Sequence, residues 1–293
     1  MAKEKSTQTY LEGIEDDRGK SQVRSPLRYP GGKSRATKQI LSLIPDFDEY
    51  REPFLGGGSI YIATIKKFPK KQYWINDNFK ELYCFWSQLK KNSNKVIKEI
   101  QLTFDAYKDI ENGEELYNKL VNLENYNEQE AAVRFFILNR ITFSGTIESG
   151  GFSNESFNKR FTQSSIDRLF PFKELLKNTK ITCKDYSYLT DYQGKKVFMF
   201  LDPPYLSTKS SKLYGKKGDM HTSFDGEKFA EKAKSSKHKW LITFDDSKEV
   251  RSLFKGYNTF PLDLQYGMNN YKQKTAAKGK ELIITNYEPR KTQ

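Results

Sequence analysis

The segment Val197–Leu201 constrains the fold most strongly, because all five of its residues are apolar and the next four read Asp-Pro-Pro-Tyr. A strand with one face in water alternates apolar and polar residues, whereas a continuous apolar run is typical of a strand buried on both faces. Such strands belong to parallel sheets that helices cover, so the run indicates an α/β fold. It stops at Asp202, and ligands of open α/β sheets bind at this end of the strands.

A nucleotide-binding pattern lies nearer the start of the chain. Residues 50–55 are predicted to form a short strand that runs into three consecutive glycines at 56–58, and residues 59–65 resemble the first turns of a helix. A second strand at 72–75 leads to Asp77. An acid about 20 residues after such a glycine turn can accept hydrogen bonds from both ribose hydroxyls. The pattern therefore predicts a nucleoside cofactor without specifying which one.

Two common nucleotide sites do not fit. The turn at 28–34 ends in Gly-Lys-Ser, as a P-loop does, but Leu27 stands where that motif requires its first glycine. Tyr61 stands where the fingerprint for NAD requires its last glycine. The sequence therefore argues against both an NTPase and an NAD-dependent enzyme.

The charge balance points to a polyanionic partner. Lys and Arg number 50 and Asp and Glu 37, which gives a formal net charge of +13. The apolar runs are far shorter than the roughly 20 residues of a membrane-spanning helix, so we expect no membrane partner. The two cysteines are far apart in sequence and only two histidines are present, which argues against a disulfide framework and a metal site. These features predict a cytoplasmic protein without a bound metal.

The segment Asp-Pro-Pro-Tyr supplies groups that methylation of an amine requires. The exocyclic amine of adenine is a poor nucleophile, because its lone pair is delocalised into the ring. The Asp202 carboxylate and the Pro203 carbonyl could accept its two N–H hydrogens and localise that lone pair. The φ angles of Pro203 and Pro204 are fixed, which holds the acceptors rigidly, and Tyr205 offers a ring on which an extruded base can stack. These four residues are the predicted catalytic group.

The remaining segments predict a helical middle and an α/β end. Residues 79–125 and 128–139 have helical apolar spacing, and 141–160, with a Ser-Gly-Gly turn signal, is predicted to be a β-hairpin. Residues 1–23 are predicted to be a flexible arm and the basic segment 206–223 a mobile loop. The other predicted elements are helices at 37–44, 226–235 and 247–254, a strand at 239–244, and an antiparallel closing pair at 260–266 and 281–287.

Six segments, in order, resemble the Dam-type, D12-class N6-adenine DNA methyltransferases, also called the alpha group. The resemblance covers about residues 27–287 and implies a Rossmann-like S-adenosylmethionine-dependent methyltransferase sheet. It implies a catalytic domain at 24–80 and 179–293 and a helical, hairpin-bearing target-recognition domain at 81–178. The matching segments are RYPGGK (28–33), EPFLGGGS (52–59), Asn76-Asp77, LNR (138–140) leading to FSG (143–145), Asp-Pro-Pro-Tyr (202–205), and ELIITN (281–286).

The resemblance also implies which residues surround S-adenosylmethionine. In the family an acid at a later strand end faces the cofactor adenine, and Asp185 is the matching position here. The full expected set of cofactor-binding residues is Tyr29, Pro30, Gly32, Lys33, Pro53, Phe54, Gly56, Gly57, Gly58, Ser59, Asp77, Asp185, Tyr186 and Asp202.

The expected partner is double-stranded DNA, from which the target adenine is flipped. A cognate restriction endonuclease is a further expected partner, the chain is expected to be a monomer or weak dimer, and its source a bacterium or phage. The residues proposed to contact DNA are Arg140, Ser144, Thr146, Lys159 and Arg160 in the recognition domain and Lys272 and Lys274 in the closing hairpin.

Two alternatives stay open from the sequence. A methyltransferase for cytosine N4 or for an RNA amine would present a similar pair of acceptors, although Asp rather than Ser at position 202 favours adenine. A catalytically silent DNA-binding relative would keep the same fold. The intact Asp202 and Asp77 argue against that second alternative.

Overall fold

The computed structural model describes residues 23–147, 150–206, 224–265 and 278–289. Several predicted features lie outside these residues: the N-terminal arm apart from Val23, part of the predicted hairpin tip, the loop after Leu206, and Lys272 and Lys274. Among the described helices, none has the length and apolar content needed to cross a membrane.

The described residues form a seven-stranded sheet in the order β3-β2-β1-β4-β5-β7-β6. Neighbouring strands from β3 to β5 are parallel, and β7 runs antiparallel to both β5 and β6. The predicted α/β class, with its antiparallel closing pair, is confirmed. The strands are β1 (Glu49–Glu52), β2 (Gln72–Asn76), β3 (Thr179–Thr182), β4 (Val197–Leu201), β5 (Lys239–Asp245), β6 (Asn258–Gln265) and β7 (Lys278–Thr285).

The strand order reverses at β1, which pairs with β2 on one side and with β4 on the other. Tyr50 of β1 is aligned with Tyr73 of β2 and Phe198 of β4, so the three strands end at nearly the same level. All five residues of β4 are buried, as its composition predicts. Ligand sites of open α/β sheets lie at such a reversal, beyond the carboxyl ends of the strands.

Helices cover the sheet and fill the middle of the chain. The predicted helical stretch at 79–125 is three separate helices, because breaks fall at Asn92 and around Gly113. In the described residues the helices are α1 (Thr37–Leu43), α2 (Ser59–Lys67), α3 (Lys80–Lys91), α4 (Ser93–Tyr107), α5 (Glu114–Val121), α6 (Glu128–Ile141), α7 (Asn154–Arg160), α8 (Gln163–Asp167), α9 (Phe172–Leu175), α10 (Tyr186–Asp191), α11 (Gly226–Ser235) and α12 (Lys248–Leu253).

Helix α6 is the central helix of the middle segment. Its side chains from Ala131 to Ile141 are all buried, and Asn127 begins it with a capping box that includes Glu130. The Arg134 Nη1 group donates to both carboxylate oxygens of Glu81 on α3, at 2.7 and 2.8 Å. A single hydrophobic core includes residues of α3, α6 and β1, so the middle segment packs continuously onto the sheet.

The prediction of a β-hairpin at 141–160 is wrong. Only one antiparallel bridge, between Thr142 and Phe152, joins the two described arms, and a 3-10 turn occupies Phe143–Gly145. The second arm is helix α7, because the Ser153 side chain caps its N-terminus by accepting from the Ser156 N–H at 3.2 Å. The second arm, 152–160, also lacks the alternation of apolar and polar residues that a half-buried strand requires, since its apolar residues Phe152 and Phe157 are five positions apart.

Candidate active site

A cavity of about 770 Å³ lies beyond the carboxyl ends of β1, β2 and β4. Every residue predicted to bind the cofactor or to take part in catalysis lines it, although these residues come from five separate parts of the sequence. The lining residues that were predicted are Tyr29, Pro30, Gly32, Lys33, Pro53, Phe54, Gly56, Gly57, Gly58, Ser59, Asp77, Asp185, Tyr186, Asp202, Pro203, Pro204 and Tyr205.

The glycine turn after β1 is packed against Tyr29. Gly56 has a φ of +48°, and a Cβ atom added there would lie 2.7 Å from Cε1 of the Tyr29 ring. A Cβ on Gly57 would lie 2.9 Å from the Tyr29 Cβ. Real side chains do not tolerate such distances, so glycine at these positions lets the two cavity-lining turns come together.

Asp77 is fixed at the end of β2. Its Oδ2 accepts the Gly56 N–H at 2.9 Å and its Oδ1 accepts the Phe79 N–H at 3.0 Å. Each carboxylate oxygen keeps a lone pair for a further donor, so the group can still accept two hydroxyls from the cavity. Burial raises the pKa of Asp77 to about 6, which is still below 7, so the carboxylate is largely ionised at neutral pH.

Aromatic rings form the next part of the cavity. Phe54 and Tyr186 are nearly parallel, with ring centroids 5.3 Å apart and an interplanar angle of 28°. Phe224 packs edge-on against Phe54 at 6.2 Å and also lines the cavity. Asp185 begins α10 by accepting the Ser187 N–H at 2.9 Å. An apolar aromatic wall beside a carboxylate suits a flat heteroaromatic ring with an amine.

Two neighbouring groups hold Asp202 at the end of β4. The Thr243 hydroxyl, on β5, donates to Asp202 Oδ1 at 2.6 Å, and the Lys33 ammonium donates to Oδ2 at 2.9 Å. Lys33 also donates to the Gly31 carbonyl at 2.8 Å and is only 3% exposed. The orientation of the carboxylate is thus set by one hydrogen bond to each oxygen.

Glu281 lies behind Lys33, outside the cavity lining. Its Oε2 is 3.9 Å from the Lys33 Nζ, and neither carboxyl oxygen accepts a hydrogen bond from another described residue within the geometric limits of such a bond. Burial raises the pKa of Glu281 to about 7. Lys33 is therefore placed between Asp202, to which it donates, and a second carboxyl group that is partly protonated at neutral pH.

The floor of the cavity is acidic, although the chain as a whole is basic. Glu52, at the end of β1, is buried and accepts a hydrogen bond from the Tyr50 hydroxyl. Burial, with smaller contributions from the charges of Asp202 and Asp77, raises the pKa of Glu52 well above its usual range. Burial thus disfavours the ionised form of Glu52, and the negative charge in this part of the cavity comes from Asp77 and Asp202. The electrostatics therefore favour a ligand that carries positive charge.

Comparison with known families agrees with this geometry. The family model for the D12 class N6 adenine-specific DNA methyltransferases matches residues 29–268, which is 240 of the 293 residues. The chain belongs to this family. The methyltransferase fold and the adenine-specific DNA methyltransferase activity inferred from the six sequence segments are thereby confirmed.

Individual relatives place the D12-class chain among bacterial and archaeal methylases. It is 26% identical to the type II methyltransferase M.MjaIII of Methanocaldococcus jannaschii, over 63% of this chain and 70% of the relative. It is 25% identical to the DNA adenine methylase of Vibrio cholerae, over 80% of this chain and 85% of the relative. With the modification methylase StsI of Streptococcus sanguinis it shares 24% identity over 98% of its own length, but it spans only 46% of that larger protein.

The D12-class chain also has an arginine cluster near the end of α6. Arg140 is only 4% exposed, its guanidinium lies 5.2 Å from the Phe136 ring, and its Nε has no hydrogen-bond partner among the described residues. Burial lowers the pKa of Arg140 to about 9, with smaller contributions from the charges of Arg168, Arg28 and Arg160. The predicted DNA contact at Arg140 is therefore buried, and three other cationic side chains are close enough to lower its pKa.

The other predicted DNA contacts are placed differently. Lys159 and Arg160 are exposed on α7, and Lys159 pairs with Glu155 at 3.0 Å. Thr146 is buried and its hydroxyl donates to the Phe143 carbonyl at 2.9 Å, while Ser144 adopts a φ of +54° in the 3-10 turn. None of these residues lines the cavity.

Sequence reasoning missed several residues in and around the site. Thr243 donates to Asp202, and Glu281 approaches Lys33, from strands β5 and β7, which reach the site only because of the strand order in the sheet. An acid at the start of the apolar run 281–285 could have been noticed in the sequence. Phe224 lines the cavity next to Phe54. Phe143 is 64% exposed in the turn next to the arginine cluster, and its place in a matched segment could have identified it.

Proposed function

We propose that this chain binds S-adenosylmethionine in the cavity and methylates N6 of an adenine extruded from duplex DNA. The observation that carries the proposal is the convergence of Asp77, the Phe54–Tyr186 pair and Asp202 on one cavity. The first two suit a nucleoside, and the third is a fixed hydrogen-bond acceptor at a strand end. The methyl donor and the target amine would thus occupy separate parts of the same cavity.

The donor set fits S-adenosylmethionine. Asp77 would accept the ribose hydroxyls, and Phe54 and Tyr186 would pack against the adenine of the cofactor. The carboxylates of Asp77 and Asp202 would favour a cation. When bound, S-adenosylmethionine supplies an electrophilic methyl group on a positively charged sulfur.

The residues of the chain would act mainly by orientation. Asp202 would accept one N–H of the target amine, and the Pro203 carbonyl is the proposed acceptor of the other. Both contacts oppose delocalisation of the nitrogen lone pair and direct it toward the methyl donor. Because Thr243 and Lys33 hold the two oxygens of Asp202, no reorganisation is needed when the base arrives.

Asp202 would also receive the proton that the reaction releases. The nitrogen gains a methyl group and a positive charge, and it becomes neutral when one N–H proton leaves. Asp202 is the proposed acceptor of that proton, since its carboxylate is the base at the end of β4. Tyr205, which is adjacent in sequence and lines the same cavity, is the proposed stacking surface for the base.

DNA would approach over the turn Phe143–Gly145 and helix α7. The charges of Arg28, Arg160 and Arg168 act on the buried Arg140, and a phosphate would relieve this repulsion. The exposed ring of Phe143 is suited to stacking against a base or filling the gap that base extrusion leaves. Lys272 and Lys274 are proposed further phosphate contacts. A cytoplasmic location, where DNA is accessible, goes with this proposal.

A cognate restriction endonuclease is a proposed partner, because relatives of the chain are named modification methylase StsI and type II methyltransferase M.MjaIII. Methylation of cytosine N4 is the alternative that the same acceptor pair would allow.

Analysis of methylated nucleosides tests the proposal. Unmethylated duplex DNA would be incubated with the protein and S-adenosylmethionine labelled in its methyl group, digested to nucleosides and separated. We expect the label in N6-methyladenine, and no label with the Asp202→Ala variant. Label in N4-methylcytosine, or in RNA but not in DNA, would overturn the assignment.

A further inference from the structure

Arg28 connects the cavity to the segment proposed to contact DNA. It immediately precedes Tyr29, the first residue of the cavity lining. The backbone N–H of Arg28 donates to Asn139 Oδ1 at 2.9 Å, and the Arg28 carbonyl accepts from Asn139 Nδ2 at 2.7 Å. One side-chain amide on α6 therefore satisfies both main-chain groups of the residue that begins the cavity turn.

The same amide also holds the exposed turn after α6. Asn139 is fully buried, and its Nδ2 donates a second hydrogen bond, of 3.1 Å, to the Gly145 carbonyl. Gly145 has a φ of +75°, and a Cβ atom added there would lie 2.5 Å from the Arg28 carbonyl oxygen. Only glycine permits this approach, so Arg28, Asn139 and Gly145 form one tightly packed contact between three chain segments.

The Arg28 side chain strengthens this connection. Its Nη1 donates to the Thr142 carbonyl at 3.3 Å and to the Ser156 hydroxyl at 3.1 Å. These two residues lie on either side of the turn Phe143–Gly145. Both the backbone and the side chain of Arg28 are therefore bonded to the middle segment of the chain.

Lys33, at the other end of the turn that begins at Arg28, contacts the proposed catalytic carboxylate of Asp202. The Tyr29 ring packs on the glycine turn after β1, and Lys33 donates to Asp202. The Gly32 N–H donates to the Tyr29 carbonyl at 3.1 Å, which closes the turn on itself. Movement of the DNA-side turn would consequently be transmitted to both the methyl-donor cavity and Asp202 through a few residues.

We propose that Asn139 is a positioning residue that couples methyl-donor binding to DNA binding. A methyl donor bound in the cavity would fix the turn at Tyr29 and, through Arg28 and Asn139, the turn at Gly145. DNA bound at the turn that contains Gly145 would in return fix the turn at Tyr29, which borders the cavity. This coupling must be reciprocal, because each ligand changes the affinity of the other by the same factor. The inference rests on the proposed function, since it assumes that both ligands bind.

The test measures that factor in the full-length chain. The dissociation constant of S-adenosylhomocysteine, which lacks the transferable methyl group, would be measured by calorimetry without DNA and with a saturating unmethylated duplex. The parent is expected to bind it several-fold more tightly with DNA, within the range of about 5- to 150-fold that coupled sites commonly show. In Asn139→Ala this ratio should fall to about one.

A variant in the same helix controls for loss of stability. Asn127→Ala removes the N-cap of α6 but lies at the opposite end from Arg28, so it should weaken the helix and keep the parental ratio. If Asn139→Ala does not fold, Asn139→Asp carries the test, because it keeps the acceptor for the Arg28 N–H and loses both donors.

The possible outcomes separate the two proposals. An Asn139 variant that keeps the parental ratio, or an Asn127→Ala variant that loses it, would overturn the coupling role of Asn139. A parent that binds both ligands with a ratio of one would overturn the coupling alone. A parent that binds neither S-adenosylhomocysteine nor DNA would instead contradict the proposed function.

Discussion

The Lys33 ammonium lies 2.9 Å from Asp202 Oδ2, so the turn that borders the cavity also orients the carboxylate at the end of β4. Glu281 approaches the same ammonium from the other side, at 3.9 Å. This arrangement of one cation between two acids leads to a prediction for stability as well as for activity.

Glu281→Gln should change how the stability of the protein depends on pH. The folded-state pKa of about 7 is above the ordinary value of 4.5, so the folded protein retains this proton more strongly than the unfolded chain. The stabilisation is complete below about pH 4.5 and is lost as the pH rises through 7. Relative to Glu281→Gln, the free energy of unfolding of the parent should therefore fall by at most about 3 kcal/mol between pH 4.5 and pH 7.

Urea unfolding of both proteins at pH 5 and pH 8 measures this difference. The exposed acid Glu155 provides the control, since Glu155→Gln should not reproduce the effect of Glu281→Gln between pH 5 and pH 8. If the stabilities of the parent and Glu281→Gln change by the same amount between pH 5 and pH 8, Glu281 is ionised throughout that range.

Asp77→Asn should weaken binding of S-adenosylmethionine by about tenfold or more, because the amide has one acceptor oxygen where the carboxylate has two. The pKa of about 6 also predicts that the parent binds the cofactor less tightly as the pH falls below 6, where Asp77 is protonated. The variant should lack this dependence. Calorimetric titrations between pH 5 and 8 test both points. Asp48→Asn, at an exposed position, is the control. Equal affinities of the parent and Asp77→Asn for the cofactor would show that Asp77 has another role.

Phe143→Ala should lower methylation of duplex DNA without changing cofactor affinity. The ring is 64% exposed, so its removal costs the fold little, whereas a lost stacking contact with a base costs about 1–3 kcal/mol. We expect kcat/KM for DNA to fall about tenfold. Leu102→Ala removes an equally exposed apolar side chain on α4 and should leave kcat/KM unchanged. Equal effects of the two substitutions would remove Phe143 from the DNA-binding surface.

The cavity could be predicted from the sequence because its parts follow strands whose patterns are local. Gly56 and Asp77 follow the ends of β1 and β2, and Asp202 follows a strand that is apolar throughout. Parallel strands bring such ends to one edge of the sheet. Each cofactor residue proposed from these patterns lines the cavity.

Features that depend on tertiary context could not be predicted in this way. Glu281 faces Lys33 only because β7 pairs with β5, which places Glu281 opposite Asp245. The Ser-Gly-Gly turn signal suggested a hairpin, but the cap at Ser153 and the burial of Phe157 give a helix instead. Arg140 belongs to a matched segment, yet the packing of α6 buries it beneath its neighbours.

The role of Asp202 is tested most directly by single-turnover methyl transfer with the Asp202→Ala variant. Cofactor and DNA affinities would be measured in parallel, and Asp246→Ala, at the end of the neighbouring strand β5, would serve as control. We predict that Asp202→Ala keeps much of its affinity for both ligands while transfer of the methyl group to adenine N6 slows by about a hundredfold or more. A near-parental rate in that variant would contradict the proposal that Asp202 accepts the amine.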